Sequence, residues 1–360
     1  MSFAKLPLLY ARWVQAWLPS PIPAETQATC QDCALLTPSA PTLPQASQQI
    51  HPRTKCCGYF PTLANFQVGR ILDETEASAA PAQAMVAQRV RARFMATPLA
   101  LECPPAYDLL YAKSPYMGSA LKLQCPYYVE NLLGGACGIW QHRNAVCMTW
   151  FCKHERGITG AAFWRALELL GQHLELALSY WCLTQLELAP QSLAQILPDR
   201  HEDKSKFSPH TLDETIDESA HRAVWDNWAG REAEFYRECG RIVSALDATQ
   251  VLEIGGAEAA LRLRVARHTL NDLLSADLPR EARPGNFNIQ PITPQESQIV
   301  TYTMTAPLVL PTLVLNVLPY FQGRTVDEAI RAIAEQEQVE VEPALVLKLL
   351  DFGILVPVED

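Results

Sequence analysis

The clearest hydrophobic rhythm in the chain starts just past residue 158. Phe163, Leu167, Leu170, Leu174, Ala177 and Trp181 recur at spacings of three and four, which puts them on one face of a long helix. Thr159 stands where an N-cap belongs. A second stripe runs through Trp228, Phe235, Cys239, Ile242 and Leu246. Between the two, the polar segment PDRHEDKSKFSPHTLDETIDESAH (198–221) reads as a solvated linker. The start, FAKLPLLYARWVQAWLP, predicts an amphipathic helix. Lys5, Pro7 and Arg12 interrupt it, so it does not read as a bilayer span. It also lacks the clean apolar core and small-residue cleavage site of a signal peptide.

The last part of the chain changes rhythm. QIVTYTMTA (298–306) predicts a strand, and Leu308 to Phe321 an apolar helix closed by Gly323. Thr325 and Glu328 form a capping box, after which Val326, Ile330 and Ile333 share a face. Pro343 suits the first turn of a third helix, with Leu345, Val346, Leu349 and Leu350 buried. Gly353 ends that helix and ILVPV (354–358) reads as a closing strand. Residues 1–158, by contrast, show little periodicity. TPSAPTLPQASQQIHPR (37–53) and the Ala-rich EASAAPAQA (76–84) read as loops. The expected fold is therefore mainly α with a small α+β C-terminal module. A loop-rich cysteine-cluster domain (1–158) leads into a helical domain (159–290) and then a winged-helix-like interaction module (291–360).

Composition narrows the function. The chain has 360 residues, 49% of them hydrophobic and 19% charged, a balance that predicts folded structure rather than disorder. A formal net charge of −10 argues against a general nucleic-acid binder, which needs an excess of Lys and Arg. Eleven cysteines is a high and odd number. Without an export signal, that count points to a reducing cytoplasm and to metal or redox chemistry rather than a disulfide framework.

Nine of the eleven cysteines fall in residues 1–158. The ligand candidates are Cys30 and Cys33 in a CxxC knuckle, the adjacent pair Cys56 and Cys57, then Cys125, Cys137, Cys147 and Cys152. A two-residue gap lets both thiols face one ion. Adjacent cysteines diverge and suit two metals or two corners of one cluster. Gly58, Gly134, Gly135 and Gly138 let backbone N–H groups approach sulfur. Lys55, His142, Arg143, Lys153, His154 and Arg156 neighbour the thiols in sequence and are expected to offset thiolate charge. Tyr59, Trp140, Trp150 and Phe151 are expected to exclude water. Cys182 and Cys239 fit apolar helical patterns and read as core residues; Cys103 stays open. All-thiolate sites select zinc or iron–sulfur clusters, and four thiolates close either one.

Cys125-Pro-Tyr-Tyr-Val, Cys137-Gly-Ile-Trp-Gln-His-Arg143 and Val146-Cys147-Met-Thr-Trp-Phe-Cys152 resemble the YkgJ-type cysteine-cluster family, a zinc- or iron-chelating domain. The upstream CxxC and Cys-Cys pair resemble it too. Nine residues separate Cys137 from Cys147 and four separate Cys147 from Cys152, in keeping with that pattern. Asn144 stands where the family usually has Pro, and 22 residues separate Cys33 from Cys56, where the family keeps them close. The likeness spans roughly Cys30 to Cys152. Flagellin lysine-N-methylases share the pattern and are linked to an iron–sulfur cluster, so the resemblance leans toward iron–sulfur.

Two weaker signals remain. VLEIGGAEAA (251–260) is similar to the glycine-rich first motif of S-adenosylmethionine-dependent methyltransferases, yet reads as well or better as helices with a Gly-Gly break. No HExxH, GxSxG or Walker loop occurs. The C-terminal part, through Phe321-Gln-Gly323-Arg-Thr325-Val326 and Gly353-Ile-Leu-Val, resembles the winged helix of PqqD-like peptide-recognition elements. The resemblance implies a peptide or protein partner for residues 298–360, bound as an added strand; a packing or dimer module is equally compatible. Nine acidic against three basic residues there disfavour DNA.

The function expected from these features is a metal-binding protein acting in an assembly, maturation or modification pathway. The alternatives are a cluster-dependent peptide- or protein-modifying enzyme, such as an S-adenosylmethionine-dependent N-methyltransferase, and a metal chelator or store.

Overall fold

The computed structural model describes residues 5–25, 51, 53–114, 118–130, 135–197, 208–303 and 307–358. The chain is mainly helical, with a small sheet region toward its C-terminus. Two compact units divide it. The first takes described residues up to 24, those of 51–150, and 167–264; the second takes residue 25, residues 151–166 and the described residues from 265 onward.

The first unit opens with helix α1 (Leu8–Trp17), which buries Leu9, Tyr10, Trp13, Val14 and Trp17. Its apolar face is thus used for packing. Among the described residues no helix is long and apolar enough to cross a membrane. Strand β1 (Leu63–Ala64) leads into α2 (Asn65–Leu72) and α3 (Ala80–Ala92), and β2 (Ala100–Leu101) pairs back on β1. The Ala-rich stretch expected to be a loop is in fact a 3-10 turn, Ala77–Ala79, followed by α3. Alanine is the best helix former, and Pro81 sits in the first turn where its missing N–H costs nothing. Then come α4 (Pro105–Lys113), β3 (Tyr128–Val129), β4 (Ala136–Cys137) and the short α5 (Ala145–Thr149).

The long helix is α6 (Gly157–Gln185), whose predicted stripe is largely buried at Phe163, Leu167, Leu170 and Leu174. It starts two residues before the expected cap. Thr159 does not cap it but donates its hydroxyl to Asp351 Oδ1 at 2.8 Å. Next are α7 (Pro190–Ile196), α8 (Pro209–Leu212) and α9 (Glu218–Trp225). The segment expected to be a linker is therefore partly helical, Ser208 and Asp217 supplying its side-chain caps. The second stripe becomes α10 (Glu232–Ala245), which buries Phe235, Tyr236, Cys239 and Val243.

Helices α2 and α10 cross at two glycines. A Cβ on Gly69 would collide with the Tyr236 carbonyl, and one on Gly240 would stand 2.9 Å from the Arg70 nitrogen. Backbone meets backbone there, with no flexible side chain to yield. Gly69→Ala is accordingly expected to cost about 1–3 kcal/mol by overpacking. A shift of the denaturation midpoint checks it, and an unchanged midpoint would mean the crossing is looser than described.

Helix α11 (Ala248–Leu274) contains the Gly-Gly sequence. It is helical on both sides of a break at Gly256, where φ is +66°. The methyltransferase motif would need a strand ending in a turn at this place; the helix-with-a-break reading matches what is found.

In the second unit, β5 (Ala282–Pro284) pairs antiparallel with the closing strand β9 (Leu355–Pro357). A second sheet orders β6 (Asn288–Pro291), β7 (Glu296–Val300) and β8 (Leu308–Pro311), all antiparallel. The predicted strand therefore ends at Val300; residues 304–306 lie outside the described residues. The predicted apolar helix begins only at Thr312. Leu308–Pro311 joins β7 instead, with Leu310 opposite Ser297. A short apolar run suits strand and helix alike, and a waiting strand edge decides it. Helix α12 (Thr312–Val317) continues into a 3-10 turn, Leu318–Phe321. Helix α13 (Val326–Glu337) has the predicted capping box at Thr325 and Glu328. Helix α14 (Pro343–Asp351) begins on Pro343, as expected. Ile299, Phe321, Ile333, Val346, Leu349 and Ile354 form the centre of this unit's core.

Candidate metal centre

Backbone hydrogen bonds gather four thiols in the first unit. A tight turn at residues 53–57 presents Cys56 and Cys57; its Cys57 N–H donates to the Thr54 carbonyl at 2.9 Å. The Cys57 carbonyl accepts the Cys125 N–H at 2.6 Å, and the Cys125 carbonyl accepts the Tyr128 N–H at 3.1 Å. Tyr128 is paired with Cys137 across β3 and β4. One continuous ladder thus links Cys57, Cys125 and Cys137, although 67 and 11 residues lie between them in the chain.

A fifth thiol arrives on α5. Asn144 N-caps that helix by accepting the Cys147 N–H at 3.0 Å, and its amide donates to the Thr62 carbonyl at 3.2 Å. Asn144, which departs from the family pattern, therefore fixes the turn that carries Cys147. The five are free thiols.

The thiols feel one another. Cys56 and Cys57 are hydrogen-bonded sulfur to sulfur, which holds Cys56 down, to about 6, with help from Arg143 and Lys55. The same bond pushes Cys57 up, and burial and the charges of Cys125 and Cys137 add to it. Burial lifts Cys125 to about 12, with Cys137 contributing and Arg143 opposing. Burial likewise raises Cys147, and Cys137 and Cys125 raise it further. Crowded thiols resist ionising together; a cation that binds them has to displace their protons.

Arg143 is the positive charge common to Cys56, Cys125 and Cys147. Its guanidinium lies 3.8 Å from the Trp140 ring centroid. Lys55, at φ +51°, donates to the Gly135 carbonyl at 3.3 Å from a buried position. Three of the other basic residues expected there serve elsewhere. His142 pairs with Glu74 at 2.9 Å. His154 lies 3.3 Å from the Tyr302 hydroxyl, and Arg156 pairs with Asp351 at 2.7 Å. Trp150 is 49% exposed, so it does not wall off water. Tyr59 does approach the centre: burial, then Cys147, push its hydroxyl up to about 12.

Of the remaining candidates, Cys152 belongs to the second unit. Cys30 and Cys33 lie outside the described residues, as does Gly134. Cys182 and Cys239 are fully buried and hydrogen-bonded to each other, as core residues. Cys103 is half-buried beside Asp108, and burial lifts it to about 12.

Several residues around the centre were not legible in the sequence. Tyr107 on α4 donates to the Gly58 carbonyl at 2.8 Å and stands 5.0 Å from the Phe60 ring. Arg89 lies over the Phe60 ring at 4.6 Å and hydrogen-bonds the Tyr127 hydroxyl. Glu175 reaches the start of α5.

The donor set suits a soft cation. Thiolates bind zinc and iron–sulfur clusters. Thr54, fully buried in the turn that carries Cys56 and Cys57, has a hydroxyl without a hydrogen-bond partner, a spare donor for a metal-bound sulfur. Among the described residues, no set of three or more His, Cys, Asp and Glu side chains is already arranged to hold a metal ion. Comparisons with protein-family models, curated proteins and solved structures find no match for this chain.

Proposed function

We propose that this is a cytoplasmic cysteine-cluster protein that binds an iron–sulfur cluster or zinc and acts in an assembly, maturation or modification pathway. One observation carries the reading: Cys56, Cys57, Cys125, Cys137 and Cys147 are free thiols near enough for their charges to act on one another, and Arg143 acts on Cys56, Cys125 and Cys147. Five thiols exceed the four positions of one tetrahedral zinc ion, which leans the reading toward a polynuclear centre such as an iron–sulfur cluster. Bound there, the metal would supply electron transfer or a structural clasp. The protein's part is to hold the thiols together, shelter them with Tyr59, and offset their charge with Arg143 and Lys55. Cys30 and Cys33 are further ligands in this reading.

Residues 298–360, read as a winged-helix-like module, are proposed to take a peptide or protein partner. Support comes from β8, an outer strand of its sheet, and from the acidic excess of the segment.

Anaerobic purification followed by elemental analysis tests the metal reading. Iron and sulfide in a brown protein are the expected result, since d¹⁰ zinc gives no colour. Stoichiometric zinc in a colourless protein would keep the centre and change its metal. A protein that takes up neither would end the reading.

A further inference from the structure

Helix α6 meets α5 through two residues one turn apart. A Cβ on Gly171 would stand 2.7 Å from the Ala145 Cβ and 3.4 Å from Met148 Cε. Alpha-helical residues four apart share a face, so Glu175 lies on the same side of α6 as Gly171. Its Oε1 accepts the Ala145 N–H at 2.6 Å. The same oxygen accepts from Gln67 Nε2 at 3.1 Å and from the Tyr10 hydroxyl. Gln67 also donates to Tyr10 at 2.8 Å.

This carboxylate is unusual. It is half-buried, and among the described residues its hydrogen-bond partners are a backbone N–H, an amide and a phenol, with no Lys, Arg or His. Burial pushes its pKa up to about 7, because a carboxylate with no positive partner is costly to keep ionised there. What it holds is the first residue of α5, two positions before Cys147. Asn144 fixes the Cys147 N–H from one side of that turn, and Glu175 fixes the Ala145 N–H from the other. Tyr59 registers both neighbours, since the charges of Cys147 and Glu175 each act on its hydroxyl.

We infer that Glu175 is a positioning residue: seated by Gly171, Tyr10 and Gln67, it anchors the α5 turn so that the Cys147 sulfur faces the other four thiols. This rests on the thiol centre proposed above, and it assigns a role to a residue outside the ligand set. Groups that orient metal ligands without touching the metal typically change affinity 10–100-fold when removed.

The test uses the full chain and two readouts. The first is the alkylation rate of Cys147 in metal-free protein, followed by peptide mass, with Cys103 as internal reference. The second is cobalt(II) titration, followed through sulfur-to-cobalt charge-transfer absorption. Glu175→Leu is expected to raise the Cys147 rate about tenfold relative to Cys103 and to weaken cobalt binding by about tenfold or more. Glu175→Gln keeps an oxygen acceptor at the same reach and should restore both readouts to near wild type. Tyr10→Phe removes one of the groups that seat Glu175 and should shift both readouts in the same direction as Glu175→Leu, by less. If Glu175→Leu fails to fold, Glu175→Asp decides, since its side chain is one methylene short of Ala145. A Cys147 rate unchanged in Glu175→Leu and Glu175→Asp overturns the inference. Wild-type protein that binds no cobalt, while the Cys147 rate still responds, overturns the metal reading and leaves the positioning role standing.

Discussion

Arg156→Met is expected to destabilise the second unit by roughly 3–5 kcal/mol, the cost of stripping one partner from a largely buried ion pair. The guanidinium makes a two-pronged contact with Asp351, Nε to Oδ2 at 2.7 Å and Nη2 to Oδ1 at 2.8 Å. Its remaining nitrogen donates to the carbonyls of Asp272, Leu273 and Ser275, which end α11. One side chain therefore caps the C-terminus of α11 and ties it to the end of α14. Among the described residues, Asp351, 9% exposed at its side chain, would keep only the Thr159 hydroxyl. A whole domain is stable by about 5–15 kcal/mol, so this loss is a large share.

Hydrogen exchange gives the sharpest readout. Amides of β5, β9 and α14 should lose protection, while those of α2 and α10 in the first unit should keep theirs. The double variant Arg156→Met/Asp351→Leu should recover much of the loss, because it leaves no unpaired charge. If the double variant is as unstable as the single, packing around Arg156 matters more than its charge.

Arg156 also shows what sequence proximity cannot convey. Six basic side chains neighbour the thiols along the chain, yet His142, His154 and Arg156 turn to Glu74, Tyr302 and Asp351. A side chain four residues from a cysteine has no obligation to face it once the backbone has turned. The helices with one dry face, α6, α10 and α13, were legible because period 3.6 survives when the opposite face is wet. Helix α2 was not. Seven of its eight residues are buried, so no alternation marks it. The cysteines announced themselves by residue type and spacing. Glu175 did not, since its role exists only where α5 touches α6. Gly171 four residues before it, on an otherwise bulky apolar face, is the one trace such a contact leaves in sequence.

Cys137→Ser is expected to lower metal content and stability together, at a greater cost than Arg156→Met or Gly69→Ala. Metal affinity is folding free energy when the site is not preformed, on the order of 10 kcal/mol for structural zinc. The thiols come from segments distant in the chain and must lose their protons to bind a metal, so loading and ordering should be coupled here. Cys137 sits on β4 opposite Tyr128, and its neighbour Gly138 donates to the Tyr127 carbonyl at 2.8 Å. The backbone around the substituted residue is therefore held whatever its side chain. A serine oxygen is a poor substitute for a soft thiolate ligand. The variant should show a reduced metal-to-protein ratio and a lower midpoint, and a chelator that destabilises the wild type should leave its midpoint unmoved. Cys239→Ala supplies the contrast. It deletes a sulfur from the Cys182–Cys239 contact in the core, so it should cost packing energy of about 1–2 kcal/mol and keep the full metal content. Should Cys137→Ser keep its metal while Cys239→Ala loses it, the thiols would be in the right protein and the wrong pocket.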